Sequence, residues 1–424
     1  MSSGDVNIVN ASALVTVADT GNVRRGATQG DIGLIADGAV AIRGGTIMAV
    51  GTTKEVMANW FDDSVPTIDA TGKTVMPGLV ECHSHPLFGG ERHDEYAERL
   101  GGASLAEVAA RGGGIWSSVV STREANDQDL LANLAAAFDR MVWGGVTTAE
   151  VKSGYGLTVD DELHQLELLQ QARTLTPMEL VVTFLGAHVV PRDLDAANGD
   201  PAQAYTDLVG GPMTDAVIAQ GIAQFQDVTV EDGLFTPDQA LAIMARSHEL
   251  GLTTRVHADA WKPSLGWQTA VQGGAISAEH LTYTPDAEID AVGRTDTVAV
   301  LLPVAELIYM TDRRANANRF IANDVPVAIS TDYCSSIHAT SLLSTMTMAG
   351  PWLRITPAQA IVGCTLNAAY SLRLADQCGS LDVGKRGDLL VLNCPHPNEL
   401  FLGLADDMLD LVLIGGTAEG SRSQ

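Results

Sequence analysis

Positive charge is scarce in this chain. Of 424 residues only 25 are Lys or Arg, five of them lysines, against 52 Asp or Glu, a formal net charge of −27. A surface that negative repels nucleic-acid phosphates and anionic lipid headgroups, so neither nucleic acid nor membrane is expected as a partner. Cysteine is sparse and unpatterned: Cys82, Cys334, Cys364, Cys378 and Cys394 are odd in number, far apart and form no C-x-x-C pair. This argues against a disulfide framework or a thiolate zinc site and suits free thiols in a reducing compartment. No stretch approaches the roughly 18 uninterrupted apolar residues of a membrane span, and Met1–Asn10 lacks the basic-then-apolar order of a secretory leader. A cytoplasmic protein is the expectation.

What is present is enough for a large core, with 46% hydrophobic and 18% charged residues. The first seventy residues read as short strands broken by glycine turns, with Gly38–Arg43 and Thr46–Val50 folding back over Gly44-Gly45. The last fifty repeat that texture, in Asp388–Leu392 and Leu409–Ile414. Neither end alone supplies a two-layer unit, so residues 1–70 and 376–424 are expected to build one composite β-sandwich domain around the rest.

Between them, residues 71–375 alternate short apolar strands with longer helical segments. Eight strand candidates stand out: Thr74–His83, Val146–Lys152, Leu180–His188, Gln226–Glu231, Thr253–Asp259, Ala275–Leu281, Thr297–Pro303 and Val325–Asp332. Thr158–Arg173 has helical spacing at Leu163, Leu166 and Leu169, with Thr158 as a cap and acids in its first turn. The fold class is α/β, and the pattern favours a (β/α)8 TIM barrel over a doubly wound sheet because of where the polar residues fall.

Nearly every strand candidate ends in groups able to bind a metal or polar substrate: His83 and His85, Lys152 with Tyr155, His188, Glu231, His257 with Asp259, His280, and Asp332. Five of the ten histidines lie within a residue or two of such an end. In His83-Ser84-His85 the imidazoles are two apart, so on an extended chain both point to one side and can reach one ion. Imidazoles and a carboxylate suit zinc, iron or manganese, and three or four such ligands leave a position open for water. His93 has no assigned task, His164, His248 and His396 read as surface residues, and His338 is a candidate substrate contact. Gly379–Lys385 fits G-x-x-x-x-G-K, but Arg386 replaces the Ser or Thr that would hold magnesium and a strand follows, so it reads as a turn.

The run Pro77-Gly78-Leu79-Val80-Glu81-Cys82-His83-Ser84-His85 resembles the metal-binding entry of the amidohydrolase superfamily, with His257, His280 and Asp332 in its later-strand positions. More specific stretches resemble the imidazolonepropionase family: Phe88-Gly89-Gly90-Glu91-Arg92, Gly112-Gly113-Gly114-Ile115, Val151-Lys152-Ser153-Gly154-Tyr155-Gly156-Leu157, Thr183-Phe184-Leu185-Gly186-Ala187-His188 and Val300-Leu301-Leu302-Pro303. The resemblance implies a barrel with a β-sandwich built from both chain ends, and one zinc or iron ion, with manganese as a further candidate. It implies His83, His85, His257 and Asp332 as metal ligands, and Arg92, Tyr155 and His188 as substrate contacts. Lys152 is then a structural strand-end lysine and not a metal bridge, because that family uses one metal.

Two stretches depart from the family pattern. After His257 the chain reads Ala258-Asp259-Ala260 where the family usually has Ala-Glu-Gln. After Asp332 it reads Tyr333-Cys334-Ser335-Ser336-Ile337 in place of Cys-Asn-Pro-Gly-Thr, so the family's three substrate contacts there do not carry over. The expected activity is metal-dependent hydrolysis of a cyclic amide in a small nitrogen heterocycle. Asp332 or Asp259 would move the proton, and His280 would orient the water or stabilise the oxyanion. A deaminase and a non-catalytic scaffold are the alternatives, and a homodimer is the expected assembly.

Overall fold

The computed structural model, which describes residues 4–194, 199–405 and 407–421, builds both chain ends into two facing β-sheets. The four-stranded sheet runs Thr46–Thr52, Gly38–Arg43, Val6–Ala11, Thr67–Asp69. The six-stranded sheet runs Thr417–Ser421, Leu409–Ile414, Leu389–Leu392, Thr74–Pro77, Ala13–Val15, Leu34–Ile35. Ile8, Ile42 and Ile47 of the first pack on Leu14, Val75, Leu389 and Leu413 of the second. Gly44 and Gly45 turn the Gly38–Thr52 hairpin at φ 55° and 78°, the left-handed pair that a two-residue turn between twisted strands requires. Gly379–Lys385 is the expected turn, its lysine ammonium resting 2.6 Å from Ser380 Oγ and 3.2 Å from Asp19 Oδ2.

The expected strand over Thr74–His83 is two strands. Thr74–Pro77 pairs with Leu389–Leu392 in the six-stranded sheet, whereas Leu79–Glu81 pairs with Val146–Lys152. The chain crosses between them at Gly78, where a Cβ would lie 2.3 Å from Thr147 Oγ1, so only glycine lets the strands approach this closely.

From Leu79 onward eight parallel strands follow each other in chain order: Leu79–Glu81, Val146–Lys152, Glu179–Ala187, Phe225–Val230, Thr253–Ala258, Ser277–His280, Val298–Leu301 and Val327–Ile329. The last is tied back to the first beyond their ends: Ser84 bridges Tyr333 in parallel, Cys82 N donates to Ser330 Oγ at 3.0 Å and His85 N to Tyr333 O at 2.7 Å. Helices cover the outside. Val159–Ala172 is capped as its sequence predicts, with the Thr158 hydroxyl accepting from Asp161 N, and it buries Leu166 and Leu169. All five cysteines are free and buried, and among the described residues no helix is long and apolar enough to cross a membrane.

The barrel interior is not the apolar stack usual for this architecture. Fully buried Lys152 and Arg255 sit there among Glu150, Asp227 and Glu279. Lys152 Nζ lies 2.6 Å from Glu150 Oε1 and 2.7 Å from Asp227 Oδ2. Arg255 Nε donates to Glu279 Oε1 at 2.7 Å, and its terminal nitrogens donate to the carbonyls of Cys82 and Ser371. Two cations therefore face three carboxylates, leaving an excess of negative charge inside the barrel.

Candidate active site

Strand alternation stacks the site on that ion layer. Counting by twos toward the strand ends, Glu81 leads to His83 and His85, Arg255 to His257, and Asp227 to Thr229 and Glu231. Three strand ends then break the extended conformation: Asp259, His280 and Asp332 have φ of 52°, 71° and 59°. Non-glycine residues rarely take that conformation, and such strain gathers at functional sites.

Three of the side chains named as metal ligands, His83, His85 and His257, gather as one group, and the fourth, Asp332, groups with His83 and His280. His85 Nε2 lies 3.3 Å from both His83 Nε2 and His257 Nε2, and Asp332 Oδ1 lies 3.4 Å from His83 Nε2 and 3.6 Å from His85 Nε2. Ligands about 2.0–2.1 Å from a tetrahedral ion stand roughly 3.3–3.4 Å apart, so these four separations are compatible with ligands of one cation. Despite burial, Glu279 and Asp332 raise His83 to about 9, so a cation bound there would displace its proton. His83 Nδ1 is hydrogen-bonded to Glu279 Oε2 at 2.8 Å, which turns its Nε2 toward the ion position, and His257 Nδ1 lies 2.9 Å from Asp227 Oδ2. Burial, reinforced by neighbouring imidazoles, holds His85 and His257 well below the ordinary histidine pKa, so both are neutral. The carboxylate excess beneath them adds electrostatic attraction for a cation.

A pocket opens over these atoms, lined by Arg92, Tyr155, His188 and His280. Arg92 Nε is engaged by Glu95 Oε2 at 2.8 Å. His188 stacks on His85, ring centroids 5.2 Å apart and planes 15° apart, and its Nδ1 donates to Gly154 O at 3.0 Å, leaving Nε2 as an acceptor. Burial pulls His188 down to about 4 and His280 to about 3, so both are neutral imidazoles. Tyr155 is buried, its phenol pushed above its ordinary range by burial, and it stays a hydrogen-bonding neutral group.

Asp259 is the named site residue that the structure turns elsewhere. It does not line the pocket: Oδ1 accepts from Ser264 N and Ser264 Oγ, both at 2.7 Å, and Oδ2 accepts from Thr284 Oγ1 at 2.7 Å. The left-handed backbone at this residue swings its carboxylate under the 259–267 loop, where it is saturated with donors and anchors the following helix, Gly266–Gln272. Lys152 touches no metal donor and belongs to the ion layer. Ile337 is buried outside the pocket in a hairpin with Cys334, while Cys334 and Ser336 line it. His338 is an exposed residue beside Phe88 and Tyr333, and His93 is 73% exposed.

Other lining residues have no role assigned by the sequence. Glu231 was visible as a polar strand end without a role. Trp261 and Tyr309 carried no signal, because the loop after His257 and the helix Pro303–Ile308 bring them in only once the barrel is closed. Tyr309 Oη is 3.1 Å from Ser336 Oγ, which is 3.3 Å from Cys334 Sγ, a polar edge to the pocket.

Residues 74–418 match the amidohydrolase family. Over 413 residues, 97% of each chain, the protein is 36% identical to the imidazolonepropionase of Alkaliphilus metalliredigens. It is 39% identical over 394 residues to that of Symbiobacterium thermophilum, covering 92% of this chain and 91% of that one. Among solved structures it is similar to an adenosine deaminase from Xanthomonas campestris with bound zinc, at TM-score 0.70 and 18% identity over 99% of this chain and 93% of that one. Escherichia coli guanine deaminase matches at TM-score 0.73 and 16% identity, covering 99% and 100%. At such identities the solved structures speak for the fold alone.

Proposed function

Because this chain belongs to the amidohydrolase family, with imidazolonepropionases as relatives along nearly its whole length, we propose that it opens a five-membered cyclic amide bearing a carboxylate tail. Imidazolonepropionate is the substrate this reading names. The observation that carries it is the convergence of His83, His85 and His257 Nε2 with Asp332 Oδ1 beneath a pocket holding Arg92, Tyr155 and His188.

The ion these residues would hold is zinc or iron, with manganese as a third candidate. When bound, it supplies Lewis acidity that activates a water molecule and polarises the amide carbonyl. The chain's own groups do the rest. Arg92 grips the tail through the guanidinium N–H groups that Glu95 leaves free, as a forked pair of charge-assisted bonds. His188 Nε2 accepts from a ring N–H, and Tyr155 closes on the ring. Asp332 takes the proton of the attacking water, and neutral His280 orients that water or donates to the oxyanion. Tyr309 and Ser336 offer hydroxyls on the pocket edge, a different tail environment from the amide and hydroxyl contacts usual in the family.

The test is direct. Purified protein loaded with zinc or iron is mixed with imidazolonepropionate, and loss of the ring chromophore and release of ammonia are both followed. Ring opening without ammonia supports the proposal. Ammonia release from aminated heterocycles, with no ring opening, would replace it by the deaminase reading, and no turnover together with no tight metal binding would leave a scaffold.

A further inference from the structure

Opening a cyclic amide frees one proton from the attacking water and consumes one at the departing nitrogen. Among the described residues two carboxyl groups line the pocket, Asp332 and Glu231, and Asp332 shares its oxygen with the metal donors. We propose that Glu231 is the general acid of the reaction, the group that hands a proton to the ring nitrogen as the C–N bond breaks. The inference rests on the cyclic-amide reading above and assigns the second proton transfer within it.

Glu231 follows the strand Phe225–Val230 and is two residues beyond Thr229 and four beyond Asp227, so strand alternation points it to the barrel interior, at the rim. It is 4% exposed. Its carboxyl oxygens accept from the backbone N–H groups of Ala260 and Trp261, which fixes the group against the loop that follows the metal donor His257. That loop contributes no acid of its own to the pocket: Ala260 has none, and Asp259 is turned beneath it. The charged and titratable neighbours of Glu231 are Asp232 and Asp259 on its own and the adjoining loop, Lys262, which pairs with Asp232 at 2.9 Å, and the neutral pocket imidazoles His257 and His280. Burial, opposed by the Ala260 and Trp261 backbone bonds and aided by Asp259 and Asp232, pushes the Glu231 carboxyl up to about 8, so at neutral pH the metal-free protein holds it protonated.

The steps balance. The water oxygen bonds to the carbonyl carbon while its proton passes to Asp332; the C–N bond breaks as Glu231 protonates nitrogen; Asp332 then loses its proton to solvent and Glu231 regains one. One water is consumed.

Two experiments test this. In the metal-free protein, the infrared difference between wild type and Glu231→Gln should show a protonated carboxyl band at pH 6 that disappears as pH rises through about 8; no such band at pH 6 overturns the proposal. In the zinc-loaded enzyme, Glu231→Gln should lower kcat by about 10²–10⁴-fold with KM little changed and abolish the alkaline limb of the kcat profile. The deficit should shrink at least tenfold (about one Brønsted-scale decade) for a hydantoin, whose departing nitrogen is more acidic and needs less help. A residue that only pinned the loop would move neither limb nor leaving-group dependence, so wild-type kcat, an unshifted limb or an equal deficit on both substrates refutes it. Should Glu231→Gln fail to fold, Glu231→Asp keeps a carboxyl and must retain an alkaline limb at reduced kcat; its loss refutes the assignment. A wild-type protein that opens neither ring would instead refute the cyclic-amide reading and this step with it.

Discussion

Replacing Lys152 by Met tests the buried ion layer and its charge count. The ammonium lies 2.6 Å from Glu150, 2.7 Å from Asp227 and 3.4 Å from Glu279, and all four side chains are fully buried. Burial opposes the charged form of Lys152, but these carboxylates outweigh it and hold the group above its ordinary pKa. Methionine fills the same space without charge, leaving Arg255 alone against three carboxylates. Removing one partner of a buried ionic cluster costs about 3–5 kcal/mol, because the abandoned charges cannot be solvated. With an unfolding entropy of about 2.1 cal/mol/K per residue over 424 residues, that is about 3–6 °C in Tm by scanning calorimetry. The sign with pH follows from linkage. Asp227, which burial and Glu279 already push up to about 6, loses its ammonium partner in the variant and destabilises most when ionised, so the deficit is largest at about pH 8 and shrinks on acidification toward about pH 5.5 as it takes up a proton. A change under about 1 °C, or a deficit that grows as pH falls, would refute the charge count.

Glu279→Gln removes one of the three carboxylates and so balances the layer; it should cost less stability than Lys152→Met. Because it deprives His83 Nδ1 of its anionic partner at 2.8 Å, it should weaken metal affinity about 10–100-fold in a chelator competition. Asp332→Asn should abolish turnover, whereas Asp259→Asn, which changes a loop anchor, should lower Tm yet keep a measurable kcat with an unshifted pH profile; equal losses in kcat would return Asp259 to the chemistry. Arg92→Met removes the fork for the carboxylate tail and should reduce kcat/KM by about 10–100-fold, an effect absent for an analogue without the carboxylate. The protein should run as a homodimer in light scattering, and a particle of single-chain mass would refute that expectation.

Much of this molecule can be read along the chain because its information is local. Period-two alternation puts His83 and His85 on one side, a polar residue after an apolar run marks nearly every barrel strand's end, and paired glycines at 44 and 45 set a hairpin. Those signals sufficed for the barrel, and with the family likeness of the loops they named side chains that the structure gathers around one pocket, His85, His257 and Asp332 with Arg92, Tyr155 and His188. What decided the rest is rotation at strand ends and contact across a closed ring, neither of which a linear pattern encodes. A left-handed backbone turns Asp259 under its loop, contact with Thr147 makes Gly78 the crossing point between two sheets, and closure brings Asp227, Arg255 and Glu279 from three further strands against Glu150 and Lys152. Glu231 belongs to both accounts: its position was legible, but only the packed pocket made it, with Asp332, one of the two carboxyl groups that line the pocket among the described residues.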